Sequence, residues 1–470
     1  MEGQDPLASK AYLLHLILGV RECMFLRRYF WDKLLLLDKP VARRSEEEVE
    51  ADAERNYRWN FTANLLDGFA FFFGIAFASS STIVPLFVSK ITLNPFVIGL
   101  VAMIAQSAWF IPQLFTAGKI ERLDRKKPVV INLGFFTERL PVWLWPIAAL
   151  LALDYPSVAL LLFVISYAWH GLGAGVIGPA WQDLFARCFP VRKRGLMFGL
   201  TTFSGTAAAT TGAGLSSWIL QGYQYPYNFV ALFTIAAAAI TLSWAFLAMV
   251  REPLQAVEAH PHASVPMWSR MRAIVRQDKN FRSYLFARML LVVGTMGTGF
   301  ITVVSVERWA VPDGVVGIYT SILLLGQTIG NLASGLLADR YGHKMPLMLG
   351  GISQIVAFVI AWLTATPVGM YAVFALIGFA IGVNLVSGTL IAMEFSEPAR
   401  RPTFVGIANT AVGIANAIAP MLGGWIAGFG YGWLFGASAI VGLVALFLLY
   451  WTVADPRQHE PTAASIMEPA

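Results

Sequence analysis

Along this chain apolar residues gather into runs of about 20 or more, separated by short stretches that are polar or charged. Six such runs occupy roughly 59–88, 95–117, 128–153, 156–186, 195–222 and 227–250. Six more occupy roughly 281–311, 314–338, 345–366, 367–393, 402–428 and 431–454. Runs of this length are too long for strands and fit helices that cross a bilayer. The pattern predicts an all-α membrane protein of about twelve transmembrane helices. It divides into a six-helix bundle over 59–250, a linker over 251–280 and a second six-helix bundle over 281–454.

The remaining segments read differently. Residues 7–37 mix Leu, Tyr, Phe and Trp with Lys10, Arg21, Arg27, Arg28 and Lys33, which fits an amphipathic helix lying on the membrane surface. Ser45 and Glu48 form a capping box that opens a short acidic helix, so 1–58 is a polar and amphipathic N-terminal extension. The linker carries Pro253, Pro261 and Pro266 and has room for a surface helix over 267–276. The tail over 455–470 is polar and is expected to be disordered.

Composition agrees. Of the 470 residues 57% are hydrophobic and only 13% charged, with a mean hydropathy of +0.62. Soluble domains carry about 25% charged residues. The net charge is +6. Its cations sit in short loops after even-numbered spans, among them Lys119, Arg122, Arg125, Lys126, Arg187, Arg192, Arg272, Arg276, Arg340 and Arg400, whereas the opposite loops hold little beyond Lys90 and Arg308. This positive-inside bias places both termini in the cytoplasm and argues against nucleic-acid binding. Cys23 and Cys188 then lie on the reducing side and form neither a disulfide framework nor a metal site. The run over 11–20 has no small-residue cleavage site, so no cleaved signal is expected. Asn60-Phe61-Thr62 matches a glycosylation sequon, silent at a cytoplasmic edge.

The halves repeat. Ala117-Gly-Lys-Ile-Glu121-Arg122-Leu-Asp124-Arg125-Lys126 after span two aligns with Gly335-Leu-Leu-Ala-Asp339-Arg340-Tyr-Gly342-His343-Lys344 after span eight. The stretch from Pro190 before span five aligns with that from Pro398 before span eleven, and Asn56-Tyr-Arg58 aligns more weakly with Asn280-Phe-Arg282. Such duplication implies pseudo-symmetric bundles with a substrate site between them. The loop from Gly335 to Lys344 resembles the signature of the major facilitator superfamily, and the six-plus-six layout extends that resemblance over nearly the whole chain. The resemblance implies that Asp339 and Glu121 act as cytoplasmic latch residues, Asp339 set against the N-terminus of span five and Glu121 against that of span eleven. A loop that only makes tight turns is the alternative. Gly413, Pro420, Gly423 and Gly424 in span eleven resemble a helix-bending motif that the family's antiporters carry in span five; here its reading is close packing and a bend.

Ionisable groups at membrane depth are costly and mark candidate sites. They are Asp67 in span one, Glu138 and Arg139 in span three, His170 in span four and Arg288 in span seven. Adjacent residues on a helix point about 100° apart, so Glu138 and Arg139 are not expected to pair well with each other. By the family pattern spans one, four, seven and ten line the cavity, which adds Asn384 as a polar lining residue. Asp67 or Glu138 could carry a proton, or Asp67 could form a static pair with Arg288. His170 is either a titrating group or a hydrogen-bonded packing residue. Phe71, Trp109, Trp143, Trp145, Tyr167 and Trp169 offer aromatic surface to a cavity, to lipid or to the interface.

No metalloprotease helix, nucleophile elbow or phosphate-binding Gly loop occurs, so neither an enzyme nor a cofactor is expected. The leading expectation is a plasma (inner) membrane secondary transporter working by alternating access. It would export a lipophilic or amphipathic small molecule, with protons as the candidate coupling ion. A lipid flippase and a non-transporting receptor or assembly factor are the rival readings. Partners are the small-molecule or lipid substrate and membrane lipid, and a monomer suffices.

Overall fold

The computed structural model describes residues 31–39, 41–120, 122–256, 267–395 and 401–455. Twelve membrane-length segments follow one another in the order the apolar runs predict. Eight are long and apolar enough to cross a bilayer by themselves: Pro156–Cys188, Tyr227–Ala248, Lys279–Trp309, Asp313–Ala338, Lys344–Leu363, Val368–Glu394, Phe404–Ala427 and Tyr431–Trp451. The other four depart from a plain apolar helix. Span one breaks between Tyr57–Ala76 and Ile83–Ile91, and span two between Pro95–Ser107 and Gln113–Ile120. Span three passes through π-helical turns at Val129–Leu133 and Phe135–Arg139 and a 3-10 turn at Leu140–Trp143 before Leu144–Leu151. Span five, Val191–Gly222, is unbroken but rich in Gly, Ser and Thr. Span seven tightens into a 3-10 turn at Gly294–Phe300, where Gly and Thr replace the larger apolar residues.

The duplication is visible in hydrogen bonds. The Asn60 side chain accepts from the Arg251 N–H (2.8 Å) and donates to the Arg251 carbonyl (3.0 Å), tying the start of span one to the end of span six. Asn280 does the same to Ala454, accepting at 2.8 Å and donating at 3.2 Å, and ties span seven to span twelve. Lys127 Nζ donates to the Val250 carbonyl (2.8 Å), and Lys344 Nζ donates to that of Val453 (2.6 Å). The structural counterpart of Asn280-Phe281 is therefore Asn60-Phe61, not Asn56-Tyr57. The Asx side chain that closes the backbone fixes this register, four residues from the one expected. Asn60 is also fully buried, so the sequon has no accessible acceptor in the folded chain.

These ties put the starts of spans one and seven, the ends of spans six and twelve, and the loop after span two on one side, here the termini side. Four polar contacts between the bundles lie at the other, distal end. Lys90 pairs with Asp313 (2.7 Å), Ser217 Oγ donates to the Gly314 carbonyl (2.6 Å), the Thr82 and Thr320 hydroxyls meet at 2.6 Å, and Thr302 donates to the Ser81 carbonyl (3.2 Å). Two tight backbone seams run alongside. A Cβ on Gly317 would lie 2.5 Å from the Ser217 backbone, and one on Gly99 would lie 2.6 Å from the Pro420 carbonyl and 3.1 Å from Gly424 Cα. Span eleven stays helical through Pro420, and Gly423 packs on the Met296 backbone of span seven. At the termini side, among the described residues, nothing lies within 4 Å of where a Cβ on Gly118 or Gly335 would sit.

The capping box forms in both directions: Glu48 N donates to Ser45 Oγ (3.2 Å) and Ser45 N to Glu48 Oε2 (3.1 Å). Of the predicted surface helix, 7–30 lie outside the described residues, as does Cys23. Beyond them, Asn132 of span three donates to the Leu34 carbonyl (2.7 Å) and holds this segment against the first bundle. In the linker a helix forms at Met267–Gln277. The tail beyond Asp455 lies outside the described residues.

Candidate functional site

Span three positions the first cluster. Pro141 has no N–H, so the Glu138 carbonyl finds no donor three residues on, and the helix changes from π to 3-10 at this point. His170 of span four fills that acceptor: its Nδ1 lies 2.8 Å from the Glu138 carbonyl and must therefore carry the proton. The imidazole sits edge-on to Trp145 with centroids 5.2 Å apart. Its geometry is that of a hydrogen-bonded packing residue.

Glu138 and Arg139 are both buried and contact each other through Oε2 and Nη1. The two side chains touch, but Arg139 Nη1 forms no hydrogen bond there. Two long side chains on a widened π turn can fold back to meet, and no other carboxylate bridges Arg139 among the described residues. The guanidinium also lies 5.8 Å from the Phe71 ring of span one, and its Nε has no hydrogen-bond partner. Asp67, one turn before Phe71, accepts from Ser243 Oγ of span six (2.6 Å). Asp67 and Arg288 do not pair, because each lies within its own bundle and finds a partner there. Asp67, Glu138, Arg139 and His170 thus form one buried polar group across spans one, three, four and six.

Arg288 forms the second cluster. It is buried, donates from Nη1 to Asn384 Oδ1 of span ten, and rests against Gly388, where a Cβ would collide with it. Asn384 is oriented by its own donation to the Ala380 carbonyl (2.8 Å). One turn before Arg288, the buried Tyr284 hydroxyl has no partner, and neither has Arg288 Nε. No carboxylate bridges this guanidinium among the described residues.

The aromatic surface is largely spent on packing. Trp145, Phe163, Tyr167 and Phe233 stack into the first bundle's core, while Trp143 and Trp169 are exposed.

A third network, on the termini side, contains acids the sequence reading missed. Glu252 accepts from the backbone N–H groups of Lys126 (2.8 Å) and Lys127 (3.0 Å). Lys126 is fully buried, with Nζ 3.2 Å from Asp183 and 2.5 Å from the Ile120 carbonyl. Arg187 bridges Asp183 (3.3 Å) and donates to the Asp124 carbonyl (2.9 Å). Burial pushes the Glu252 carboxyl above its ordinary range, against the two N–H bonds that pull it down, and burial lowers the Lys126 ammonium. The only sequence signal was an acid at the edge of a strongly basic loop. In the second half His343 N donates to Glu394 Oε2 (3.4 Å), and Ser387 Oγ lies 3.0 Å from His343 Nδ1 and 2.6 Å from Ser334 Oγ.

The arrangement can be set beside known proteins. A family model described as Major Facilitator Superfamily matches residues 284–469. The probable anion transporter 4, chloroplastic, of Arabidopsis thaliana is 30% identical over 158 residues, covering 32% of this chain and 29% of that protein. The cyanate transport protein CynX of Escherichia coli (strain K12) is 24% identical over 323 residues, covering 66% and 79% respectively. The multidrug resistance protein MdtH of Enterobacter sp. (strain 638) is 25% identical over 325 residues, covering 64% and 72%. The crystal structure of a D-xylose-proton symporter superposes with a TM-score of 0.62 at 14% identity over 85% of this chain and 99% of that one, a likeness of fold alone.

The chain resembles the major facilitator superfamily over residues 284–469. It is an integral membrane protein with the superfamily's two six-helix bundles. The superfamily loop after span eight runs off the end of the helix Asp313–Tyr341, with Gly342 at φ 78°, a left-handed conformation that favours glycine. Arg340 lies over the Tyr341 ring at 5.3 Å. The Asp339 side chain and all of Glu121 lie outside the described residues, and Arg122 follows in the turn after span two.

Proposed function

We propose that this protein is a secondary transporter that carries a small amphipathic organic molecule bearing an anionic group, by rocking its two bundles about the site between them. The observation that carries this reading is Arg288, a buried guanidinium with a free Nε, a neutral Asn384 partner and no carboxylate partner among the described residues. An unpaired charge at membrane depth is costly, and an anionic ligand group would offset that cost. The printed names of two relatives, an anion transporter and a cyanate transport protein, support the same chemistry. Asp67 and Glu138 are the candidate proton carriers, and His170 is structural. The basic loops support a cytoplasmic termini side, and with that orientation the conformation described is the one sealed on the outer face. Asp339 and Glu121 are the latch positions of the opposite conformation.

A second reading, export of a lipophilic compound, is favoured by the likeness to a multidrug resistance protein. Thermal shift separates the two, since a ligand of the folded state raises its melting temperature. Organic carboxylates should raise the melt of the wild type but not of Arg288→Gln. Shifts by neutral lipophiles that persist in Arg288→Gln would support the second reading instead. No shift by either class would turn the search to protein partners.

A further inference from the structure

A cavity of about 670 Å³ lies where the linker helix crosses the termini-side ends of spans seven and eleven. This is within the range of ligand-sized pockets, roughly 300–1,000 Å³. Helical spacing builds it. Arg282, Leu285, Phe286 and Met289 fall at i, i+3, i+4 and i+7 on span seven, and Ile407, Ala411 and Ile414 at i, i+4 and i+7 on span eleven. Each span therefore turns one apolar stripe to the groove. Leu285 and Ile407 form a buried floor, while Phe286 is 59% and Ile414 49% exposed. Over one end the linker helix sets Arg272 and Arg276, one turn apart, and Arg282 joins them from span seven. No acidic residue lines the cavity, and no carboxylate pairs with these three arginines among the described residues.

An apolar trough rimmed by three unpaired cations matches an amphiphile with a negative head. At the end of two membrane spans, beneath a basic amphipathic helix, the source of such a molecule is the adjacent leaflet. We propose that this groove binds an anionic phospholipid, with one acyl chain along spans seven and eleven and the phosphate against Arg272, Arg276 and Arg282. A lipid seated there would join the linker helix to both spans. The site is separate from the buried clusters around Asp67 and Arg288, so it stands or falls independently of the transported substrate.

Titration of the purified full chain in neutral detergent, read by native mass spectrometry, tests the proposal. The probes are dioleoyl phosphatidylglycerol, dioleoyl phosphatidylcholine and inorganic phosphate. Phosphatidylglycerol should bind at least about tenfold more tightly than phosphatidylcholine, because juxtamembrane cations favour anionic lipid. The triple variant Arg272→Gln/Arg276→Gln/Arg282→Gln should weaken it by on the order of 100-fold. Ile414→Trp, which fills the groove and keeps every charge, should also weaken it. Both variants should keep the wild-type melt in lipid-free detergent. Equal binding of the two lipids, wild-type affinity in the triple variant, or displacement of the lipid by millimolar phosphate would each overturn the proposal.

Discussion

Replacing Gly317 by Ala places a methyl group where no room exists. Its Cβ would lie 2.5 Å from both N and Cα of Ser217, whereas unstrained carbon contacts lie at about 3.5–4.0 Å. The obstacle is backbone on a neighbouring span, so no side-chain rotation relieves it, and spans five and eight must part by roughly 1 Å. Overpacking of this kind costs about 1–3 kcal/mol. That cost falls only on the conformation with a closed distal seam. Since about 1.4 kcal/mol is a factor of ten, the population should shift toward the distal-open state by roughly 5- to 150-fold. The assay is thiol labelling of Thr320→Cys, a seam position 1% exposed in the closed form, with Cys23 and Cys188 replaced by Ala. Labelling should accelerate by the same factor when Gly317→Ala is added. An unchanged labelling rate in a variant that still melts cooperatively would refute the claim that this seam holds the conformation.

Glu252→Ala leaves two inward N–H groups without an acceptor and should cost about 1–3 kcal/mol for each, read as a lowered melting temperature. The Glu252 carboxyl is raised by burial, so its neutral form favours the fold. This contribution is complete below the ordinary value near 4.5 and is lost as pH rises through the raised value. Glu252→Gln should therefore flatten the fall in melting temperature above that pH, and an unaltered pH profile would count against the assignment. Asn60→Ala and Asn280→Ala should destabilise by similar amounts, because each removes the same double bond to the backbone; markedly unequal losses would contradict the pseudo-symmetric ties. Asn384→Asp should pair with Arg288 and suppress thermal shifts by organic anions, and undiminished shifts would remove Arg288 from the ligand site.

The membrane layout was legible because runs such as those over 227–250 and 431–454 contain no charge at all, and lipid permits no other reading of them. The breaks were not. Span one parts at residues 77–82, where Ser79, Ser80, Ser81 and Thr82 read as ordinary small residues of a span; the polar contacts of Ser81 and Thr82 belong to the other bundle and cannot be seen locally. Asp67 and Arg288 were correctly singled out as buried charges, but partner choice depends on which spans adjoin, and Ser243 and Asn384 are weak signals alone. Glu252 was overlooked because it stands beside Pro253 in a linker, where an acid usually means only solvation. The Asn-Phe pairs at 60 and 280 were legible, and a comparison centred on them would have given the right register.

The most direct test is flux. The purified protein, reconstituted into sealed liposomes, would be assayed for movement of a labelled carboxylate that raises its melting temperature, with and without a pH gradient. The proposed mechanism predicts protein-dependent flux that saturates, that Arg288→Gln abolishes, and that a crosslink across Thr82 and Thr320 (both replaced by Cys), whose hydroxyls meet at 2.6 Å, stops until it is reduced. Binding of the carboxylate without any flux, or flux undiminished by the crosslink, would contradict transport by alternating access.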